Sequence, residues 1–176
     1  PFIDRRATGD AFRRAAAAWS LGEIGSPRAA RPLAGLLLRE LSTVERSGYL
    51  DHGGVVRAVS VAIRRIGGVE ALYALVKALC VLARARGVQE ETVAEIVDSL
   101  AEVGGPSAVR EAADRFVQSV GERPPEAGGS GLDTVGEIIF ERLSLCGDSA
   151  QFNLKRIALG GPPALRPIAE RILAKF

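Results

Sequence analysis

A short glycine-containing turn recurs along the chain, at Gly25-Ser26-Pro27, Gly67-Gly68-Val69, Gly104-Gly105-Pro106 and Gly147-Asp148-Ser149. Successive turns lie 42, 37 and 43 residues apart. When the flanking segments are aligned on these turns, the same columns are apolar in every copy. Before the turn they are Ala17/Val59/Ile96/Ile139, Leu21/Ile63/Leu100/Leu143 and Ile24/Ile66/Val103/Cys146; after it they are Ala30/Leu72/Val109/Phe152 and Leu37/Leu79/Phe116/Leu159. Offsets of three, four and seven are the helical period, so each segment carries one apolar stripe. A lone helix pair cannot bury such a stripe, and copies at this spacing must pack on one another. The expected fold is all-α, an α-solenoid of stacked antiparallel helix hairpins.

The turn residues suit that fold. Glycine adopts the left-handed conformation that ends a first helix, and proline at the start of the next gives up an amide that had no partner there. A single domain, 1–176, is expected, with hairpins at about 8–41, 55–86, 92–120 and 134–159 and a terminal helix at 163–175 after Gly160-Gly161. Lys155 and Arg156 fill columns that hold Leu33/Leu75/Ala112 and Ala34/Val76/Ala113 in the other copies, which marks the fourth hairpin as frayed or amphipathic, like a cap. Longer connections are expected at Ser42 to Gly54 and at Gly121 to Leu132, the second polar, rich in breakers and read as mobile.

Composition agrees: 47% hydrophobic but only 5% aromatic residues is a balance for packed helices rather than strands. Two distant cysteines, Cys80 and Cys146, and one histidine, His52, give neither a zinc site nor a disulfide framework, so no cofactor or metal is expected. The longest mainly apolar stretch, Val69 to Ala85, is interrupted by Glu70, Lys77 and Arg84 and falls short of a membrane span. A cytoplasmic setting is the expectation, with no signal or transit sequence visible. A chain that begins at Pro1 and contains no methionine reads as a piece of something longer. The net charge of +2 conceals an asymmetry: residues 1–86 carry 14 Lys and Arg against 7 Asp and Glu, and residues 87–176 carry 9 against 14.

The first copy, Ala15-Ala16-Ala17-Ala18-Trp19-Ser20-Leu21-Gly22-Glu23-Ile24-Gly25-Ser26-Pro27-Arg28-Ala29-Ala30-Arg31-Pro32-Leu33, resembles the HEAT-like repeat named after phycobilisome lyases, the PBS lyase HEAT-like repeat. The likeness extends more weakly to Val56–Leu79 and Val93–Phe116. It implies a HEAT-like superhelix whose second helices line a concave face. The variable column there reads Arg31, Tyr73, Arg110 and Asn153, and one helical turn on it reads Gly35, Lys77, Asp114 and Ile157, with Arg28, Arg39 and Arg84 nearby. Arg31, Tyr73, Lys77 and Arg110 are therefore the candidate binding residues, able to hold an acidic peptide or a phosphate backbone. A solvated polar face accounts for the same residues about equally well.

Other features read more simply. Trp19, whose equivalents are Val61, Asp98 and Glu141, is expected to pack on a neighbouring segment such as Phe2, Ile3 or Phe12. The Asp51-His52 pair has no accompanying nucleophile signature and reads as a solvated loop. Glu90, Glu91, Glu95, Asp98 and Glu102 read as a solvated convex face.

The leading expectation is a non-catalytic protein-binding scaffold, not an enzyme, in an Ala- and Arg-rich, bacterial-looking background. Its partner would be a protein or peptide, acidic in character, with no membrane role. One alternative is nucleic-acid binding, suggested by the basic amino-terminal half; a HEAT-like glycosylase would need a carboxylate and an aromatic in the cleft, for which Tyr73 and Asp114 are the available pair. Another is a bilin lyase or chaperone-like subunit, which rests on the repeat's name alone. HEAT-like iron hydroxylases need several His-Glu pairs, and one histidine excludes them.

Overall fold

The computed structural model describes residues 5–50, 53–122 and 130–175. These residues form eight α-helices and no strand: α1 (Arg5–Ile24), α2 (Ala30–Ser47), α3 (Gly53–Ile66), α4 (Val69–Leu82), α5 (Glu90–Glu122), α6 (Ser130–Ser144), α7 (Asp148–Gly160) and α8 (Arg166–Leu173), with a 3-10 turn at Pro27–Ala29. α5 is two helices in line, broken at Gly105, whose φ of 66° and ψ of −167° no helix accommodates. Gly25, Gly67 and Gly147 also have positive φ, so the recurring turn is a left-handed glycine in each copy. In the third copy that role falls to Gly105 rather than to Gly104.

The helices stack in two rows. First helices run side by side as α1, α3, the part of α5 before Gly105, α6 and α8; second helices run as α2, α4 and the part of α5 after Gly105. The core between the rows holds Leu37, Leu79 and Phe116 from the second helices, and Ile63, Leu100 and Ile139 from the first, all fully buried. Phe116 meets Phe140 of α6 edge to face, with centroids 6.0 Å apart. Close approach of neighbouring first helices depends on small residues: a side chain at Gly22 of α1 would meet the Ala62 backbone of α3 at 2.8 Å.

The two ends of the stack depart from the column rule. Ala17 and Ile24 are exposed on α1, where Ala11 and Ala18 face inward instead, because an end helix has a stacked neighbour on one side only. On α7, Phe152 is 70% and Leu159 85% exposed, while Ala150, Leu154 and Ile157 are buried in its place. Burying the Phe152 and Leu159 face would have carried Lys155 and Arg156 toward the core, at a cost several times the gain from one apolar side chain. The helix rotates to the uncharged stripe and packs on α8.

The connections also differ from expectation. α2 continues through Leu41 and Val44, both buried, to Ser47 before Gly48 ends it, and α3 starts at Gly53. α5 ends at Glu122 and α6 begins at Ser130, with Gly131 packed so closely on the carbonyls of Leu82, at the end of α4, and Ala85 beyond it that no side chain fits there. Of the connection read as mobile, residues 123–129 lie outside those described, as do Asp51 and His52.

The acidic first-helix face is not merely solvated. Glu95 of α5 pairs with Arg64 of α3 at 2.7 Å, Glu102 approaches the same guanidinium at 3.6 Å, and Asp98 pairs with Arg142 of α6. Glu23 to Arg65 and Glu141 to Lys175 continue the series toward the two ends. Each pair joins neighbouring first helices, so opposite charges fix the register of the stack more than its stability.

Candidate functional site

A groove of about 510 Å³ runs between α4 and the part of α5 after Gly105. Its floor is apolar, made by Leu72, Val76, Leu100 and Ala108. Cys80 and Ser119 are small residues on its two walls, which leaves the space open. Leu72 sinks into the floor because Gly104 opposite carries no side chain; a Cβ there would lie 3.1 Å from Leu72. On the α4 wall stand Val69, 80% exposed, and Tyr73, 63% exposed, with Lys77 below them. The α5 wall carries Glu111, Arg115, Gln118 and Glu122.

Those wall charges are matched locally. Arg115 bonds Glu111 at 3.1 Å and the Gln118 amide donates to Glu122 at 2.7 Å. Arg84 closes one end by donating to the Cys80 carbonyl at 2.8 Å and to the carbonyl and hydroxyl of Ser119 at 2.6 and 2.7 Å. The Cys80 thiol, partly buried in the wall, is pushed above the ordinary thiol range by that burial, against the opposing pull of Ser119, Arg84 and Arg115. A thiol kept protonated is a poor nucleophile. A second hollow, of about 330 Å³, lies between the ends of α2 and α4 beside Glu45 and Arg84.

Of the four residues singled out in the sequence, Tyr73 and Lys77 line the groove. Arg31 is exposed one helix away, on α2. Arg110 is half-buried and turned toward the fourth hairpin, where it donates to the Cys146 carbonyl at 2.6 Å. It is spent on that carbonyl and does not line the groove. Asp114, weighed as a partner for Tyr73, is held by Arg156 of α7 at 3.0 Å and is likewise absent from the lining. Trp19 is 48% exposed and carries the Arg65 guanidinium over its ring at 4.9 Å, a cation–π contact from α3; Phe12, expected as packing, is itself 76% exposed. Sequence reasoning missed Cys80, Ala108, Arg115 and Ser119. The signal for Cys80, Ala108 and Ser119 was small residues on successive second helices; Arg115 had none.

One helix, its turn and the start of the next, from the middle of α1 through the 3-10 turn into α2, are the stretch that comparison with known families picks out. Residues 13–39 match the PBS lyase HEAT-like repeat. No match was found among curated proteins or among solved structures. The likeness to a HEAT-like repeat therefore covers residues 13–39, and around it the described residues form an all-α helical repeat fold. The matched repeat contains Arg31 but none of the groove, so the likeness bears on the architecture and not on the site. Among the described residues, no three His, Cys, Asp or Glu side chains are grouped to hold a metal ion, and no helix is long and apolar enough to cross a membrane.

Proposed function

We propose that this chain is a non-catalytic scaffold that holds a protein or peptide partner on its second-helix face, with the groove between α4 and α5 as the seat. The observation that carries this reading is an open, apolar-floored groove rimmed by an exposed tyrosine and an exposed valine. Tyrosine gives a large, stiff contact area with a polar tip, and a bound side chain that covered it would also seal the floor from water. Lys77 and Arg115 in the lining are balanced by Glu111 and Glu122, so the groove itself offers no net cationic surface to a polyanion, which favours a polypeptide over a nucleic acid. The protonated Cys80 thiol supports a binding role over a covalent one.

A photo-crosslinking amino acid placed at Tyr73, and separately at Glu91 on the first-helix face, tests this in extract from the native source. The expected result is a discrete adduct from position 73 that excess parent protein competes away and an excess of the Val69→Asp, Tyr73→Asp variant does not. Equal adducts from both positions, or equal competition by parent and variant, would remove the groove from the account.

A further inference from the structure

Charge on the second-helix face is satisfied on one side of the groove and left open on the other. On the α5 side, Glu111, Glu122 and Asp114 each have a partner within the protein. On the other side, Lys77 of α4 and the α2 residues Arg31 and Arg39, with Arg28 just before the helix, make no ion pair among the described residues. Glu40 of α2 is taken by Arg14 of α1 at 2.7 Å. A step of eight residues sets Arg31 and Arg39 on one broad stripe of α2, with Arg28 in the 3-10 turn before it. Gly35 sits in the middle of that stripe with only the Arg39 guanidinium near its missing Cβ, at 3.9 Å, so a passing chain can lie close to the helix. α2 and α4 pack side by side, and the repeat alignment sets Arg31 in the column of Tyr73 and Gly35 in that of Lys77, so stripe and wall occupy the same columns of neighbouring second helices.

We infer that the occupant of the groove is an acidic peptide segment anchored by one bulky apolar residue, running across the second helices with its carboxylates on Arg31 and Arg39. This rests on the groove being the binding seat. The anchor fills the apolar floor, and the acidic stretch gains from cations that have no ion-pair partner among the described residues. Packed helices lie about 8–10 Å apart, so α2 is roughly 12–15 Å from the midline of the groove, or about four residues of extended chain. The segment therefore carries its acidic residues about four positions to one side of the anchor, and the α5 wall disfavours them on the other side.

A random peptide library displayed and selected on the full chain reads the preference directly, and a consensus peptide is then measured by fluorescence anisotropy against variants. The expected consensus is a large apolar residue with Asp or Glu about four positions away on one side. Arg31→Glu with Arg39→Glu should weaken the peptide about tenfold at low salt and less at high salt. Exchanging the peptide's acids for lysine should restore binding to that variant, which separates lost charge from lost fold. Selected peptides that need Tyr73 yet carry no acidic bias and ignore the arginine reversal would overturn this inference and leave the groove as the seat. A library enriched no further on the parent than on the Val69→Asp, Tyr73→Asp variant would overturn both. Displacement of the peptide by a DNA oligonucleotide that binds the parent and not the arginine variant would mark the stripe as a polyanion site and overturn it as well.

Discussion

The third and fourth hairpins place large apolar residues in the same two columns and treat them oppositely. Val109 and Phe116 are 1% and 0% exposed on α5; Phe152 and Leu159 are 70% and 85% exposed on α7. The difference lies in the columns between them. α5 has Ala112 and Ala113 there, both buried, while α7 has Lys155 and Arg156, both exposed. A stripe goes inward as a whole or not at all, and two charges outweigh two good apolar residues. The rotation also frees Arg156 to reach Asp114 on α5, so the fourth hairpin is tied to the third by an exposed ion pair at 3.0 Å as well as by packing.

That contrast is sharpest in mutational stability. Phe116→Ala removes a ring with no exposed surface that meets Phe140, and urea unfolding should show a loss of about 3–5 kcal/mol. Leu159→Ala and Phe152→Ala, at matching columns, should each change stability by less than about 0.5 kcal/mol. A loss of about 2 kcal/mol or more at either α7 position would mean that this face is packed and that the helix is not rotated.

Much of the fold was legible because helical periodicity and glycine turns are local signals, and four copies reinforce them. What escaped the sequence depended on reach across copies. Arg110 sits in a column that varies like a binding column, yet its long side chain finds the Cys146 carbonyl 36 residues on. Helix ends moved where a buried residue beyond the expected stop, such as Val44, extended the stripe. Two residues of the candidate site were readable, Tyr73 and Lys77, because they stand in the variable columns beside the apolar ones. The rest of the lining was not, since Cys80 on α4 and Ala108 and Ser119 on α5 are ordinary residues until the two helices set them face to face. The charge pairs along the first helices did have a sequence signal, opposite charges one repeat apart, as in Glu23 with Arg65 and Asp98 with Arg142.

The two cysteines offer the most direct test of the central claim, because both are partly buried thiols held above the ordinary range by burial and only Cys80 lines the groove. Their alkylation rates can be followed side by side by mass spectrometry, with and without the crosslinked or selected partner. Both should react slowly near neutral pH and speed up only as the pH rises beyond the usual thiol range. With the partner bound, the account predicts that Cys80 labelling slows by about tenfold or more, as occlusion requires, while Cys146 keeps its rate. Unchanged labelling of Cys80 beside a bound partner, or equal slowing of both thiols, would contradict the groove between α4 and α5 as the place where this scaffold holds what it binds.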